Sequence, residues 1–96
     1  MADVRNHLLS TSWLAEQTIP EGTHRLRVWG LDDPTTPTAH AAVWFRLKDG
    51  EGDGAPLLIA AGSVWEEVFA GTTLRAGMRY SLMAVSGAPY GIVEIV

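Results

Sequence analysis

Residues Ala39-His40-Ala41-Ala42-Val43-Trp44-Phe45-Arg46-Leu47-Lys48 divide into two alternating sets. Ala41, Val43, Phe45 and Leu47 fall on one parity; His40, Ala42, Trp44, Arg46 and Lys48 fall on the other. Side chains of a strand point alternately to opposite faces, so the pattern predicts a half-buried β-strand whose aliphatic set covers a core. Trp44 then stands on the outer face beside Arg46 and Lys48. The stretch Thr23-His24-Arg25-Leu26-Arg27-Val28-Trp29 repeats the arrangement, with Leu26 and Val28 inward and Arg25, Arg27 and Trp29 outward. Trp and Arg are enriched at protein interfaces, so two outward Trp residues flanked by Arg predict surface that another molecule covers.

Working outward from these two strands, breakers recur at short intervals: Pro20-Glu21-Gly22, Gly30 to Pro37, Asp49 to Pro56, Gly62, Gly71, Ala76-Gly77 and Gly87-Ala88-Pro89. The runs between them are too short for ordinary helices and read as seven strands, near Trp13–Ile19, Thr23–Trp29, Ala39–Lys48, Leu57–Ala61, Val64–Phe69, Arg79–Val85 and Gly91–Val96. No connection is long enough for a crossover helix, so the fold predicted is all-β, an antiparallel β-sandwich or β-barrel. The single domain spans 13–96. Residues 1–12 are expected to form an N-terminal arm, or a short helix over Asp3–Ser10 in which Asp3 caps and Val4 and Leu8 share a face. Val64-Trp65-Glu66-Glu67-Val68-Phe69 places one acid on each face among apolar residues, as an edge strand does when charge discourages indiscriminate pairing. Ile92-Val93-Glu94-Ile95-Val96 requires a neighbouring strand from its own sheet or from another subunit.

Composition narrows the function. The 96 residues hold no Cys, which removes disulfides, thiolate nucleophiles and Cys-based metal sites. A net charge of −4 with dispersed Arg residues opposes nucleic acid as a partner. No apolar run approaches the roughly 20 residues of a membrane helix, and the first nine residues lack the apolar core of a secretory signal.

Catalytic and metal patterns are weak. Asp49-Gly50-Glu51-Gly52-Asp53-Gly54 spaces its acids as a calcium loop does, but Ala60 occupies the position of the bidentate Glu, and a solvated hairpin loop explains the stretch better. His7, His24 and His40 lack metal-ligand spacing. Ser63 has no G-x-S-x-G setting, and Glu66 and Glu67 point to opposite faces of one strand. This reading assigns no catalytic residue, cofactor or metal. The contact residues it assigns are Trp29, Trp44, Arg27 and Arg46 on the strand faces and Leu8, Leu9 and Trp13 on the arm. Arg25, Arg27, Arg46 and Lys48 are also placed to cover the indoles by cation–π packing with no partner at all.

The order Ala61-Gly62-Ser63, short strand, Leu74-Arg75-Ala76-Gly77, aromatic strand around Tyr80, Gly-rich turn and final strand to Val96 resembles small β-sandwich virion proteins of tailed bacteriophages. That group includes capsid decoration or cement proteins and related head and tail accessories. The resemblance implies a non-enzymatic structural protein, assembled in the host cytoplasm and resident in the virion. It also implies that the chain binds a shell protein and further copies of itself. Two rivals stay open. One is a carbohydrate-binding module that stacks sugars on the same Trp residues. The other is a small barrel-type hydrolase or isomerase that gathers His24 or His40 with an acid such as Glu66.

Overall fold

The structure, a computed structural model, describes residues 3–20, 22–36, 38–49, 52–68 and 78–96. These residues form nine strands: β1 (Asp3–Leu8), β2 (Gln17–Thr18), β3 (Arg25–Leu31), β4 (Val43–Asp49), β5 (Gly52–Asp53), β6 (Leu57–Ile59), β7 (Trp65–Val68), β8 (Arg79–Ala84) and β9 (Tyr90–Ile95). All strand pairs are antiparallel. One sheet has the order β1-β9-β3-β7; the other runs β2-β8-β4, with β5 and β6 sharing the far side of β4. The chain therefore switches sheets between β1 and β2, β2 and β3, β3 and β4, β6 and β7, β7 and β8, and β8 and β9. The chain is an all-β sandwich.

Alternation decides which side chains fill it. Leu26 and Val28 of β3, Val93 and Ile95 of β9, Val43 and Phe45 of β4, and Tyr80, Leu82 and Ala84 of β8 lie in one buried cluster, so the inner faces of the two sheets meet. Leu9, Ile19 and Ile59 also belong to the cluster, and Trp65 packs against Phe45 with ring centroids 4.7 Å apart and the ring planes tilted by 44°. Gly30 and Gly91 face each other across β3 and β9 on the inner parity. A Cβ on Gly30 would collide with the Ala41 carbonyl, and one on Gly91 would sit 2.7 Å from Leu82, so two adjacent glycines set how closely the sheets approach here.

Asp3–Leu8 is a strand and not a helix. Asp3–Leu8 pairs with β9 residue for residue, from Asp3 opposite Ile95 to Leu8 opposite Tyr90, and forms one edge of the first sheet. β9 is thereby flanked by β1 and β3, so the strand that needed a neighbour finds two in its own sheet. The expected strand Trp13–Ile19 is regular only at Gln17–Thr18. Its earlier part follows β8 through single bonds, Leu14 N–H to the Leu82 carbonyl (2.8 Å) and Ser81 Oγ to the Leu14 carbonyl (2.6 Å).

Strand β4 pairs on its free side first with β5 and then with β6, and the register changes between them. Lys48 opposes Asp53, whereas Phe45 opposes Leu57, so one extra residue is accommodated around Ala55-Pro56, as in a β-bulge. Gly50 and Glu51, which belong to the acidic stretch considered for calcium, lie outside the described residues, as does Leu74–Gly77 of the virion-like order.

Candidate functional site

The two Trp–Arg signatures belong to different sheets. Trp29 and Arg27 lie on the outer face of the first sheet; Trp44 and Arg46 lie on the outer face of the second. The core separates them, so they form two opposite surfaces and not one contact face. The three residues assigned to the arm also part company. Leu8 is exposed on β1, Leu9 is buried in the core, and Trp13 lies on the second sheet against Arg46. Leu9 is unavailable to a partner for that reason.

On the first sheet the outer face satisfies itself. The register sets Glu94, Arg27 and Glu66 opposite one another across β9, β3 and β7, with Arg25 one pair away along β3. Arg27 lies 3.4 Å from Glu94 and 3.5 Å from Glu66; Arg25 lies 3.7 Å from Glu94 and 3.9 Å from Glu66. The last distance is too long for a hydrogen bond, and the buried Nε of Arg25 has no acceptor. The Arg27 guanidinium also stands 5.8 Å from the centre of the Trp29 ring. Next along the strand, half-buried Trp29 sits directly opposite Ile92, which is 3% exposed although it points away from the core. Leu31, also buried outside the main cluster, is bridged to His40. Here Trp29 belongs to a small apolar cluster on the outside of its own sheet.

The second sheet is organised differently. Ser81 is paired with Arg46, Trp44 with Met83 on one side and Leu58 on the other, so these side chains share the outer face. Trp44 and Met83 are half-buried and Leu58 is 55% exposed. The Ser81 hydroxyl pins the Leu14 backbone, which holds Trp13 over the sheet, and the Arg46 guanidinium lies 4.2 Å from the centre of its ring. Glu16 is engaged by Lys48 at 3.1 Å and Arg79 at 3.4 Å. Among the described residues no carboxylate pairs with Arg46, so within them the aromatic strip holds at its centre a cation that lies against the Trp13 ring.

Leu58 continues this strip around the edge of the sheet. The turn Ala60 to Ser63 joins β6 to β7 with Ser63 N–H donating to the Ala60 carbonyl at 3.0 Å. Gly62, at φ +86°, takes the third position, where a type II turn requires left-handed backbone. Behind the turn, Leu58, Ile59, Ala60, Ser63, Val64 and Trp65 line a cavity of about 220 Å³, and Leu57 and Val68, on the same two strands β6 and β7, are also exposed. That volume suits one or two side chains and is small for a drug-sized ligand. The sequence reading missed these aliphatic residues. The available signal was the apolar half of Val64–Phe69, already read as an edge.

Beneath β1 lies a polar group of a different kind. His7 Nε2 and the Tyr80 hydroxyl share a 2.7 Å hydrogen bond, and Arg5 donates to the Thr18 carbonyl, tying the β1 edge to β2. Burial, aided by the charge of Arg5, holds the His7 imidazole below the usual histidine range. Burial pushes the Tyr80 phenol up, against the opposing pull of Arg5. His24 and His40 are both exposed at separate places, and Glu66 is committed to Arg25 and Arg27, so these three do not gather in a pocket. Among the described residues no three His, Cys, Asp or Glu side chains converge as a metal site, and no helix is long and apolar enough to cross a membrane. Comparison with protein-family models, curated proteins and solved structures finds no match for the chain.

Proposed function

We propose that this chain is a non-catalytic structural subunit that works by binding protein through the outer face of its second sheet. The observation that carries the reading is the strip Trp13, Arg46, Trp44, Met83 and Leu58, in which half-open aromatic and aliphatic side chains surround a cation with no carboxylate among the described residues. Partly buried Trp and Arg are the side chains that dominate interface energetics, and a charge flanked by apolar surface is strengthened as water leaves. A protein that presents a carboxylate among apolar side chains complements this strip. Arg46 already occupies one face of the Trp13 indole, which leaves less of that ring as a sugar-stacking platform. The setting suggested by the virion-like order of the second half is a tailed-phage particle. The chain would act there as a capsid decoration or related accessory protein, binding a shell protein and further copies of itself.

The test is co-sedimentation with assembled phage shells and shell-protein subunits, comparing Trp44→Ala and Arg46→Ala with the parent chain. Trp44→Ala is expected to weaken binding by about 2 kcal/mol while far-UV circular dichroism stays unchanged. Binding that ignores both substitutions, or saturable quenching of Trp fluorescence by an oligosaccharide but not by protein, overturns the reading.

A further inference from the structure

The strand edges of the sandwich differ in what they allow. β1 alternates charge at Asp3 and Arg5, β2 spans two residues, and β7 carries adjacent Glu66 and Glu67. If two copies of β7 paired antiparallel about a two-fold axis, every central register would oppose Glu66 or Glu67 to a like charge of the other copy, which disfavours pairing. β6 is the exception, since Leu57-Leu58-Ile59 is uncharged. Among the described residues β6 pairs only with β4, and Leu57 and Leu58 are 43% and 55% exposed.

We propose that two copies of this chain join edge to edge through β6, antiparallel about a two-fold axis at Leu58, to make one continuous sheet. Leu58 then faces its own counterpart, and Leu57 of each copy faces Ile59 of the other. Leu57 lies opposite Phe45 and Ile59 opposite Val43, so both have the inward parity. Leu57 of the second copy therefore arrives beside Ile59 at the cavity of about 220 Å³ that Ile59, Val64 and Trp65 help to line. The protein carries both the projecting side chain and the hollow that receives it, as a two-fold contact requires. The displaced register around Ala55-Pro56, with a proline that has no N–H to donate, limits the joining edge to β6 and fixes its alignment. On the outer face the two Leu58 side chains bring the Trp44 strips of both copies onto one surface, doubling the sites offered to a repeated partner. This proposal rests on the protein-binding reading of that strip.

The native sequence has no cysteine, so Leu58→Cys introduces a unique thiol opposite its symmetry mate, where opposed Cα atoms lie about 4.5–5.5 Å apart, a span that a disulfide bridges. Mild oxidation is expected to cross-link Leu58→Cys at least about tenfold faster than Val4→Cys, an exposed control on the β1 edge. Native mass spectrometry of the unmodified chain is expected to give a dimer. Leu57→Lys, which would bury an unpaired ammonium, is expected to weaken association by roughly a hundredfold or more with its circular dichroism unchanged. A monomeric parent chain, equal cross-linking of the two cysteine variants, or a dimer indifferent to Leu57→Lys overturns the β6 contact. In any of those cases, shell binding that still depends on Trp44 leaves the protein-binding reading standing. Rapid cross-linking with no Trp44-dependent binding does the reverse.

Discussion

The outer faces of the two sheets carry the same local signature and use it in opposite ways. On the first, Arg27 is shared between Glu66, Glu94 and the Trp29 ring, and Trp29 lies over an Ile92 that is already almost inaccessible. On the second, Arg46 has only the Trp13 ring among the described residues, and Trp44 lies between half-buried Met83 and exposed Leu58. A tryptophan beside an arginine is therefore not in itself an interface. What separates the two cases is whether the neighbouring strands supply a counter-charge and an apolar side chain to finish the cluster.

The widest contrast is expected from removing each indole. Trp29→Ala should cost the isolated fold about 2–3 kcal/mol, because it uncovers Ile92 in addition to losing its own buried area, and should leave partner binding intact. Trp44→Ala should cost stability about 1 kcal/mol or less and remove most of the partner binding. Urea unfolding and co-sedimentation on the same two proteins measure both quantities. If the two substitutions lower stability equally and neither changes binding, the faces do not differ in the way described.

Next in size is the support under Trp13. Ser81 is almost fully buried although it points outward, because its hydroxyl donates to the Leu14 carbonyl. Ser81→Ala leaves that carbonyl without this donor, and about 1–2 kcal/mol of stability should go with it. Because the same bond positions Trp13 over Arg46, partner affinity should also fall, by less than in Trp44→Ala. A loss of stability with unchanged affinity would remove Trp13 from the binding strip and leave Trp44, Met83 and Leu58 to carry it.

The two faces also show how far the sequence could be read. Alternation in Arg25–Trp29 and Val43–Lys48 identified the buried and outward residues correctly, because a strand with one face in the core must keep a period of two. The sheet to which each strand belongs was not legible. The chain leaves β3 after Leu31 and crosses to the other sheet before Val43, and nothing in either local pattern records that crossing. β1 was misread for a different reason. Its inward residues are Asp3, Arg5 and His7, of which Arg5 donates to the Thr18 carbonyl and His7 bonds the Tyr80 hydroxyl while Asp3 pairs with Arg5, and its outward residues include Val4 and Leu8. The hydrophobic pattern is inverted, and Val4 with Leu8 mimics one face of a helix.

That inverted strand gives a handle on the β1 edge, where the first sheet meets Tyr80 of the second. His7 has its pKa lowered by burial and by Arg5, so the folded state holds the imidazole neutral at a pH where the unfolded chain has begun to protonate it. Its contribution is fully present above the unfolded value. It falls as pH drops through that value toward the lower folded one, and becomes constant once both states are charged. Between about pH 7.5 and 5 the urea midpoint should decrease, with β1 amides exchanging hydrogen earlier than those of β4 and β8. His7→Gln should flatten this dependence. Uniform loss of protection across both sheets would mean that acid acts on the whole fold and not on the β1 edge.

The smallest effect is expected where the structure displays the most ion pairs. Arg25, Arg27, Glu66 and Glu94 all retain contact with solvent, and three of their four Arg–Glu distances are 3.5 Å or more. Exposed pairs of this geometry contribute little, so Arg27→Ala should change stability by under about 1 kcal/mol, with the difference shrinking further in high salt. Partner binding should persist. Arg46→Ala is the counterpart on the other face: its effect on stability should be similarly small, but it should weaken partner binding and flatten the salt dependence of that binding. Two arginines of equal charge and comparable exposure would then differ only in whether the protein itself provides the carboxylate. If Arg27→Ala weakened partner binding as much as Arg46→Ala, the first sheet would also contact the partner, and the separation between a self-satisfied face and an open one would collapse.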